Sequence, residues 1–215
     1  MSYEIIERQL GSTRIYLLEY KDEFDPLKYL ESLTAIELER YFQFNNIKRQ
    51  KEFVATRILC HSVFGYQEIK YEAHGAPYID NHDYISISHA QQLVGIACNE
   101  KHPVGFDIEL IHDKILGLYH KFLNKKEIEQ FDVSNTKELI SCWSMKETLY
   151  KLAGRKEILF KEQLLLDRKE PLLIKGTILN PTDEIVVDLQ VMQYKNFIIS
   201  TNTSELHVVE RKFTS

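Results

Sequence analysis

Two carboxylates lie two residues apart in the segment Gly105-Phe106-Asp107-Ile108-Glu109. If this segment is a strand, its period of two places Asp107 and Glu109 on one face and their apolar neighbours on the other. Like charges on one face repel each other unless a cation lies between them, and oxygen ligands of this kind suit Mg²⁺, which also binds substrate phosphates. The segment therefore indicates either part of a magnesium site or a solvated strand face.

A second polar group shares one face of a predicted helix. Trp143, Glu147 and Lys151 follow one another at intervals of four residues, which brings their side chains together on an α-helix. Glu147 and Lys151 alone would form an ordinary surface ion pair of little energetic weight. The tryptophan indicates a partly buried face, where Glu147 could be a third carboxylate ligand and Lys151 could bind phosphate.

The third polar segment, Ser86-Ile87-Ser88-His89, ends a predicted strand at a turn. Adjacent residues of a strand point to opposite faces, so Ser88 and His89 are poorly placed to act as nucleophile and base. Both side chains can instead donate hydrogen bonds to a phosphate. The alternative for His89 is an ordinary solvated residue of the turn.

The elements that would position these groups follow from apolar periodicity and capping residues. Asp25-Pro26 and the segment from Thr34 to Glu37 carry the signals of helix starts. The last 50 residues alternate in the manner of an antiparallel meander. The other predicted elements are helices over residues 50–64, 119–131 and 136–153, a hairpin of strands over residues 84–88 and 93–97 with His89 in its turn, and a strand over residues 104–110.

The composition is that of a globular protein with its own core. Hydrophobic residues make up 44% of the 215 residues and charged residues 27%, and the formal net charge is -5. A negative chain has no general attraction to nucleic acid or to an anionic membrane, so we expect neither as a partner. Three cysteines without metal-ligand spacing argue against a zinc site and a disulfide framework. We expect a cytoplasmic protein without a targeting or membrane-spanning segment.

Together, the three polar segments resemble the 4'-phosphopantetheinyl transferase superfamily, specifically its monomeric type. The signature reads Val104-Gly105-Phe106-Asp107-Ile108-Glu109, then Trp143-Ser144-Met145-Lys146-Glu147 and Lys151, with Ser88-His89 upstream. The resemblance covers roughly residues 36 to 166. It implies an α+β fold of two similar halves related by a pseudo-twofold axis, with coenzyme A bound between them. The polar segment Asn99-Glu100-Lys101-His102-Pro103 predicts the boundary, which divides the chain into residues 1–100 and residues 101–215.

By the same resemblance, Asp107, Glu109 and Glu147 would hold Mg²⁺ against the pyrophosphate of coenzyme A. The implied reaction is attack of a carrier-protein serine on the β-phosphate, which releases 3',5'-ADP and leaves the phosphopantetheine arm on the carrier. Glu147 is the first candidate for the base that takes the serine proton, and Glu109 is the alternative. Lys151 could protonate the leaving phosphate, and catalysis would depend on positioning and charge neutralisation.

The resemblance also implies contacts with coenzyme A as the substrate. Lys151 and His89 would bind its phosphates, and Ser88 would help to position the nucleotide. Arg40 falls where members of the family place a cation on the 3'-phosphate, although a surface arginine on a helix is the simpler interpretation.

Two departures from the family pattern leave other functions open. Gly75-Ala76-Pro77 stands where the family usually has Gly-Lys-Pro, and His74 could replace the missing lysine in part or be an ordinary exposed histidine. Arg155-Lys156-Glu157 replaces a Gly-rich continuation of the chain. An inactive module of the same fold that binds coenzyme A or a nucleotide is therefore the second hypothesis. A different Mg²⁺-dependent phosphate-ester enzyme is the third, although the chain has no GxxxxGK phosphate loop.

The expected partner is an acyl or peptidyl carrier protein, which is typically acidic. Lys121, Lys125 and Lys126 follow the predicted metal-binding strand and could form a docking stripe. The alternative is that these lysines only solvate the outer face of an amphipathic helix. A chain that contains both halves of the site needs no second copy for catalysis, so we expect a monomer.

Overall fold

The computed structural model describes residues 2–80, 84–154, 157–170 and 173–211. Within these residues helices and strands are mixed, which confirms the predicted α+β class. The α-helices are α1 (Ala35–Phe42), α2 (Ile47–Phe64), α3 (Tyr119–Phe122), α4 (Lys125–Gln130) and α5 (Thr136–Leu152), and short 3-10 helices span Pro26–Ser32, where Asp25 caps the predicted start, and Asp113–Gly117. The strands are β1 (Tyr3–Leu10), β2 (Thr13–Tyr20), β3 (Lys70–Tyr71), β4 (Pro77–Tyr78), β5 (Tyr84–Ala90), β6 (Leu93–Asn99), β7 (Phe106–Leu110), β8 (Leu164–Glu170), β9 (Leu173–Leu179), β10 (Asp183–Tyr194), β11 (Phe197–Asn202) and β12 (His207–Glu210).

The first sheet is antiparallel, with the strand order β1-β2-β6-β5 and α2 packed against β2 and β6. Asn46 caps the start of α2 through a hydrogen bond from the Lys48 amide, and Gly65 follows its end with a φ of 76°. That φ lies in the left-handed region, which glycine adopts without steric cost. The predicted helix over residues 50–64 is therefore confirmed and begins slightly earlier.

The second sheet has the strand order β7-β11-β10-β9-β8, and β12 pairs with one end of β10. Its strands β8 to β11 form the antiparallel meander predicted for the end of the chain. Helix α5 packs across β7 and β11. The second sheet and α5 therefore carry two of the three polar segments found in the sequence.

A close contact fixes α5 against β7. A Cβ atom at Gly105 would lie only 2.5 Å from the Thr148 carbonyl oxygen, so only glycine fits beside the helix at this position. On the neighbouring strand β11, the Ser200 hydroxyl lies 2.9 Å from the Ser144 Oγ and 2.6 Å from the Thr148 Oγ1. These buried hydrogen bonds satisfy polar groups that would otherwise destabilise the interface, and they set the position of α5.

A buried apolar cluster joins the two sheets. Ile15 and Leu93 of the first sheet pack with Phe106, Ile108 and Ile199 of the second. Apolar side chains this deeply buried contribute about 1.5–3 kcal/mol each relative to exposure. The division into residues 1–100 and residues 101–215, and the pseudo-twofold relation between the halves, remain predictions.

Two local predictions were wrong. His89 does not lie in the turn of the hairpin but in β5, opposite Val94, and the turn contains Gln91 with a φ of 49°. The predicted helix over residues 119–131 is two short helices, α3 and α4, because the Asn124 side chain accepts the Glu127 amide hydrogen and restarts the helix at α4. None of the described helices is both long and apolar enough to cross a membrane.

Candidate active site

The end of α5 meets β7 through an ion pair. The Lys151 Nζ lies 3.0 Å from the Asp107 Oδ1 and donates to the Phe106 carbonyl oxygen over 2.6 Å. Both partners are largely buried, since the Lys151 side chain is 13% exposed and that of Asp107 6%. A charged hydrogen bond with little access to water is stronger than its equivalent on the surface. The structure thus brings together two of the predicted site residues.

Ser88 links the two sheets at the same carboxylate. Its hydroxyl donates to the Asp107 Oδ1 over 3.0 Å and accepts the amide hydrogen of Ile108 over 3.2 Å. The other carboxylate oxygen, Oδ2, is buried and has no hydrogen-bond partner among the described residues. An unsatisfied buried oxygen is costly, and a bound cation would satisfy it.

Glu109 lies one strand period beyond Asp107 and is held by the tryptophan of α5. The Trp143 Nε1 donates to the Glu109 Oε1 over 2.8 Å, and the indole stacks on Phe160 with 5.3 Å between the ring centroids. Burial, reinforced by the charges of Asp107 and Glu147, raises the pKa of Glu109 to about 7, although the Trp143 hydrogen bond opposes the shift. The carboxyl group therefore titrates near neutral pH.

Glu147 is half-buried on α5, one turn before Lys151, as the helical spacing predicted. The negative charge of Glu147 acts on Glu109 and contributes to the raised pKa of that carboxyl group. Within the part of the chain that the structure describes, no group of three or more His, Cys, Asp or Glu side chains is arranged to hold a metal ion. The role of Asp107, Glu109 and Glu147 as joint metal ligands remains a prediction.

His89 lies at a small cavity with three arginines. The cavity has a volume of about 200 Å³, and its lining includes Arg40, Arg49, Arg57 and His89; we call it the arginine cavity. The Arg40 guanidinium lies over the Tyr71 ring, 4.3 Å from its centroid. Arg40 and His89, predicted separately, therefore line the same cavity. Burial lowers the pKa of His89, and the charges of Arg49, Lys151 and Lys48 lower it further, while Glu52 raises it.

His74 is exposed and lies at a different place. It lines a wider cavity of about 770 Å³ together with Ala76, Lys151 and Gly154. A Cβ atom at Gly154 would come within 3.7 Å of the His74 ring, so the turn that carries His74 sits close to the end of α5. Lys151 therefore lies within reach of this wider cavity as well as of Asp107. Arg155 and Lys156, which the sequence singled out, lie outside the described residues.

The predicted docking lysines are exposed, with Lys121 on α3 and Lys125 and Lys126 at the start of α4. Beneath them, α4 is tied to α5 by a buried ion pair. The Lys146 Nζ lies 2.9 Å from the Glu127 Oε2, and their side chains are 0% and 1% exposed. Lys146 is therefore a structural residue of the motif around Glu147, because its ammonium group is directed away from solvent.

The charged residues of α2 were not predicted as site residues from the sequence. Arg49 and Arg57 line the arginine cavity, and the buried carboxylate of Glu52 lies beside them. In the sequence these residues have the spacing of ordinary surface ion pairs on a helix. The sequence signal for them is the run of basic residues Lys48, Arg49 and Lys51 just before the apolar residues of α2.

Comparison with known proteins agrees with the geometry. Residues 103–190 match the family model of the 4'-phosphopantetheinyl transferase superfamily. This segment contains β7 and α5, and with them Asp107, Glu109, Glu147 and Lys151. No curated protein matches the chain. The match supports transfer of phosphopantetheine as the general activity, and the resemblance to the 4'-phosphopantetheinyl transferase superfamily is confirmed over residues 103–190.

Proposed function

We propose that this protein is a Mg²⁺-dependent 4'-phosphopantetheinyl transferase that moves the phosphopantetheine arm of coenzyme A to a serine of an acyl or peptidyl carrier protein. The observation that supports it most is the pairing of Lys151 with Asp107, beside Ser88, in the segment that matches the family. At this point Lys151 could bind a phosphate, Asp107 could bind a metal ion, and Ser88 contributes a side chain from the first sheet.

The chemistry of the donor set fits Mg²⁺. Asp107, Glu109 and Glu147 would hold the ion, since hard carboxylate oxygens are the ligands that Mg²⁺ prefers. The buried Oδ2 of Asp107 lacks a partner among the described residues. Burial raises the pKa of Glu109, and the neighbouring charges of Asp107 and Glu147, which a cation would offset, raise it further. When bound, Mg²⁺ would neutralise the pyrophosphate of coenzyme A and orient it.

The residues of the chain would perform the remaining steps. Lys151 and His89 would bind the phosphates of coenzyme A, and the serine hydroxyl of the carrier would attack the β-phosphate as 3',5'-ADP leaves. Glu147 and Glu109 are the two candidates for the base that takes the serine proton. Glu109 is held by the Trp143 indole beside Asp107, and Glu147 is the half-buried carboxylate one turn from Lys151.

The arginine cavity is our proposed place for the 3'-phosphate of coenzyme A. Arg40 and Arg49 can offer bidentate hydrogen bonds to phosphate oxygens, a geometry that suits guanidinium groups. Arg57 also lines the cavity, but its buried guanidinium is paired with Glu37. We assign the wider cavity with His74 to the neighbouring part of coenzyme A. Ala76 offers no charge there, so His74 is the side chain that could replace the lysine usual in the family.

The experiment that tests the proposal is intact-mass analysis of an apo carrier protein incubated with the protein, coenzyme A and Mg²⁺. We expect the carrier to gain one phosphopantetheine, with release of 3',5'-ADP. Incubation with EDTA and the Glu147→Gln variant should both abolish the gain. Release of 3',5'-ADP without a carrier would instead support a phosphate-ester hydrolase and contradict the transferase proposal.

One observation favours a second candidate, an inactive module that binds coenzyme A. Ala76 stands where the family usually has a lysine, so the wider cavity lacks one positive charge. Coenzyme A could therefore bind there without the charge that transfer needs. Coenzyme A binding in the absence of transfer to fatty-acid, polyketide and nonribosomal-peptide carriers would support this candidate.

The transferase proposal has three further parts. The carrier would dock at Lys121, Lys125 and Lys126, the protein would be a monomer, and it would act in the cytoplasm.

A further inference from the structure

Glu52 is a buried carboxylate for which the proposed transfer gives no role. It lies on α2 and borders the arginine cavity, and the residue is only 4% exposed. A negative charge beside a proposed phosphate site opposes phosphate binding, and its burial carries a desolvation cost. Its contacts should therefore identify what it contributes.

Three cationic or ionisable groups surround the Glu52 carboxylate. Its Oε1 lies 3.5 Å from the His89 Nδ1 and 3.7 Å from the Lys48 Nζ, and its Oε2 lies 3.3 Å from the Arg49 Nη1. Lys48 and Arg49 are mostly exposed and are held on the same helix, whereas His89 belongs to β5. The contact with His89 is thus the one that joins Glu52 to the proposed site.

The two neighbours of the His89 ring select one tautomer. An ionised carboxylate can only accept a hydrogen bond, and a guanidinium can only donate. Nδ1 faces Glu52, whereas Nε2 lies 3.3 Å from the Arg49 Nη1. A neutral ring in this position therefore carries its hydrogen on Nδ1 and presents the lone pair of Nε2 to Arg49.

We propose that Glu52 is a positioning residue that holds His89 in the Nδ1–H tautomer and directs Nε2 toward the phosphate. The inference rests on the proposed function, in which His89 contacts a phosphate of coenzyme A. Phosphate oxygens accept hydrogen bonds, so Nε2 must gain a proton when phosphate binds there. The proton comes from solvent, and the Glu52 carboxylate balances the imidazolium that forms.

The surrounding charges are consistent with proton uptake on binding. The charged groups that act on His89 are Glu52, Arg49 and Lys48 of α2 and Lys151 of α5. Burial and the three cations keep the ring neutral in the free protein, against the single carboxylate. A bound phosphate would offset the cations and, together with the Glu52 carboxylate, would favour the imidazolium form of His89.

The first test reads the tautomer in the free protein, from ¹⁵N–¹H correlation spectra of the histidine side chains. The His89→Gln variant identifies the signals of His89. We expect the Nδ1–H tautomer in the unmodified protein, in Arg49→Met and in Glu31→Gln, a control that removes an exposed carboxylate elsewhere. Glu52→Met should give a mixture of tautomers, because the mostly exposed Arg49 side chain loses its Glu52 partner and is no longer held beside Nε2. Thermal unfolding would confirm that this variant remains folded.

The tautomer experiment can overturn the inference without reference to transfer. An unchanged Nδ1–H population in Glu52→Met would contradict it, as would loss of this tautomer in Arg49→Met, which would make Arg49 the positioning residue. Failure to modify any carrier would contradict the proposed function but would leave the tautomer result intact. The two hypotheses are therefore tested separately.

Calorimetry provides the second test, with 3',5'-ADP as the probe. Titrations at about pH 7.5 in buffers of different ionisation enthalpy measure the protons taken up on binding. We expect uptake in the unmodified protein and in Glu31→Gln, none in His89→Gln, and a clear reduction in Glu52→Met. Binding of 3',5'-ADP without proton uptake in the unmodified protein would overturn the inference.

Discussion

The Ser88 hydroxyl, on the first sheet, donates to the Asp107 carboxylate, on the second sheet, over 3.0 Å. This hydrogen bond crosses between the two sheets at the centre of the candidate site. It shares the Asp107 Oδ1 with the Lys151 ammonium group and leaves Oδ2 as the unpartnered oxygen among the described residues. The orientation of the first proposed metal ligand therefore depends on a residue of the other sheet.

Replacement of Ser88 by alanine tests this dependence. Ser88→Ala removes two hydrogen bonds within the buried site, so we expect the free energy of unfolding to fall by about 1–3 kcal/mol. The freed Asp107 should also require a higher Mg²⁺ concentration for half-maximal transfer. Urea denaturation and a Mg²⁺ titration measure the two effects. Ser86→Ala, on the same face of the same strand, is the matched control and should leave the Mg²⁺ requirement unchanged.

The pKa of Glu109 predicts a pH dependence of stability. Its pKa in the folded protein is raised to about 7 from its ordinary value of 4.5, so between these limits the folded state binds more protons than the unfolded state. Stability in the absence of metal should therefore decrease as the pH rises through this window. Thermal unfolding across the window measures the effect. Glu109→Gln should flatten the dependence, and an equally steep decrease in that variant would assign it to another group.

Trp143 provides an internal probe of metal binding, because it is the only tryptophan in the chain. Its indole nitrogen donates to the Glu109 Oε1, so a cation that binds Glu109 should change the environment of the fluorophore. We expect Mg²⁺ to alter the tryptophan emission in a saturable way, and the change to be absent in Glu109→Gln. A saturable response that persists unchanged in Asp107→Asn and Glu109→Gln would place the metal elsewhere.

Replacement of Lys146 and of Lys151, which lie five residues apart on α5, should have different effects on stability and on transfer. Lys146 is fully buried and paired with Glu127, so Lys146→Met leaves a buried carboxylate uncompensated and should cost about 3 kcal/mol or more of stability. Lys151→Met should instead abolish transfer with a smaller loss of stability, because the Lys151 side chain is 13% exposed whereas that of Lys146 is fully buried. Urea denaturation and the carrier-mass assay distinguish the two roles.

Local signals in the sequence predicted most of the helices and strands. The capping box from Thr34 to Glu37 is present as expected, because it depends only on neighbouring residues. The break between α3 and α4 was missed because the apolar pattern continues across it, through Phe122 and Leu123, which are both buried. The hairpin turn was misplaced because Gln91 adopts a left-handed conformation that its residue type does not announce.

The site was predictable where one element carries the pattern. The shared face of Asp107 and Glu109 follows from strand geometry, and Lys151 was placed by helical spacing. The pairing of Glu52 with His89 could not be predicted in the same way, because it joins α2 to a strand distant in the sequence. Only packing of the whole chain decides which charged residues of a helix surface face a cavity.

Charge reversal on α3 and α4 tests the proposed carrier-docking surface. The combined variant Lys121→Glu, Lys125→Glu and Lys126→Glu changes three exposed side chains, so the fold should remain intact. Repulsion of an acidic carrier should raise its KM about tenfold, since each exposed charge contributes up to about 1 kcal/mol.

The KM for coenzyme A should remain unchanged in this variant, because the docking lysines lie away from both cavities assigned to the nucleotide. Lys28→Glu, an exposed charge reversal in the other half of the chain, is the control. Steady-state kinetics at low and high salt separate the effects, because attraction between surface charges is screened as the salt concentration rises. If the carrier KM stays at its original value, or if Lys28→Glu raises it equally, carrier docking occurs at another surface.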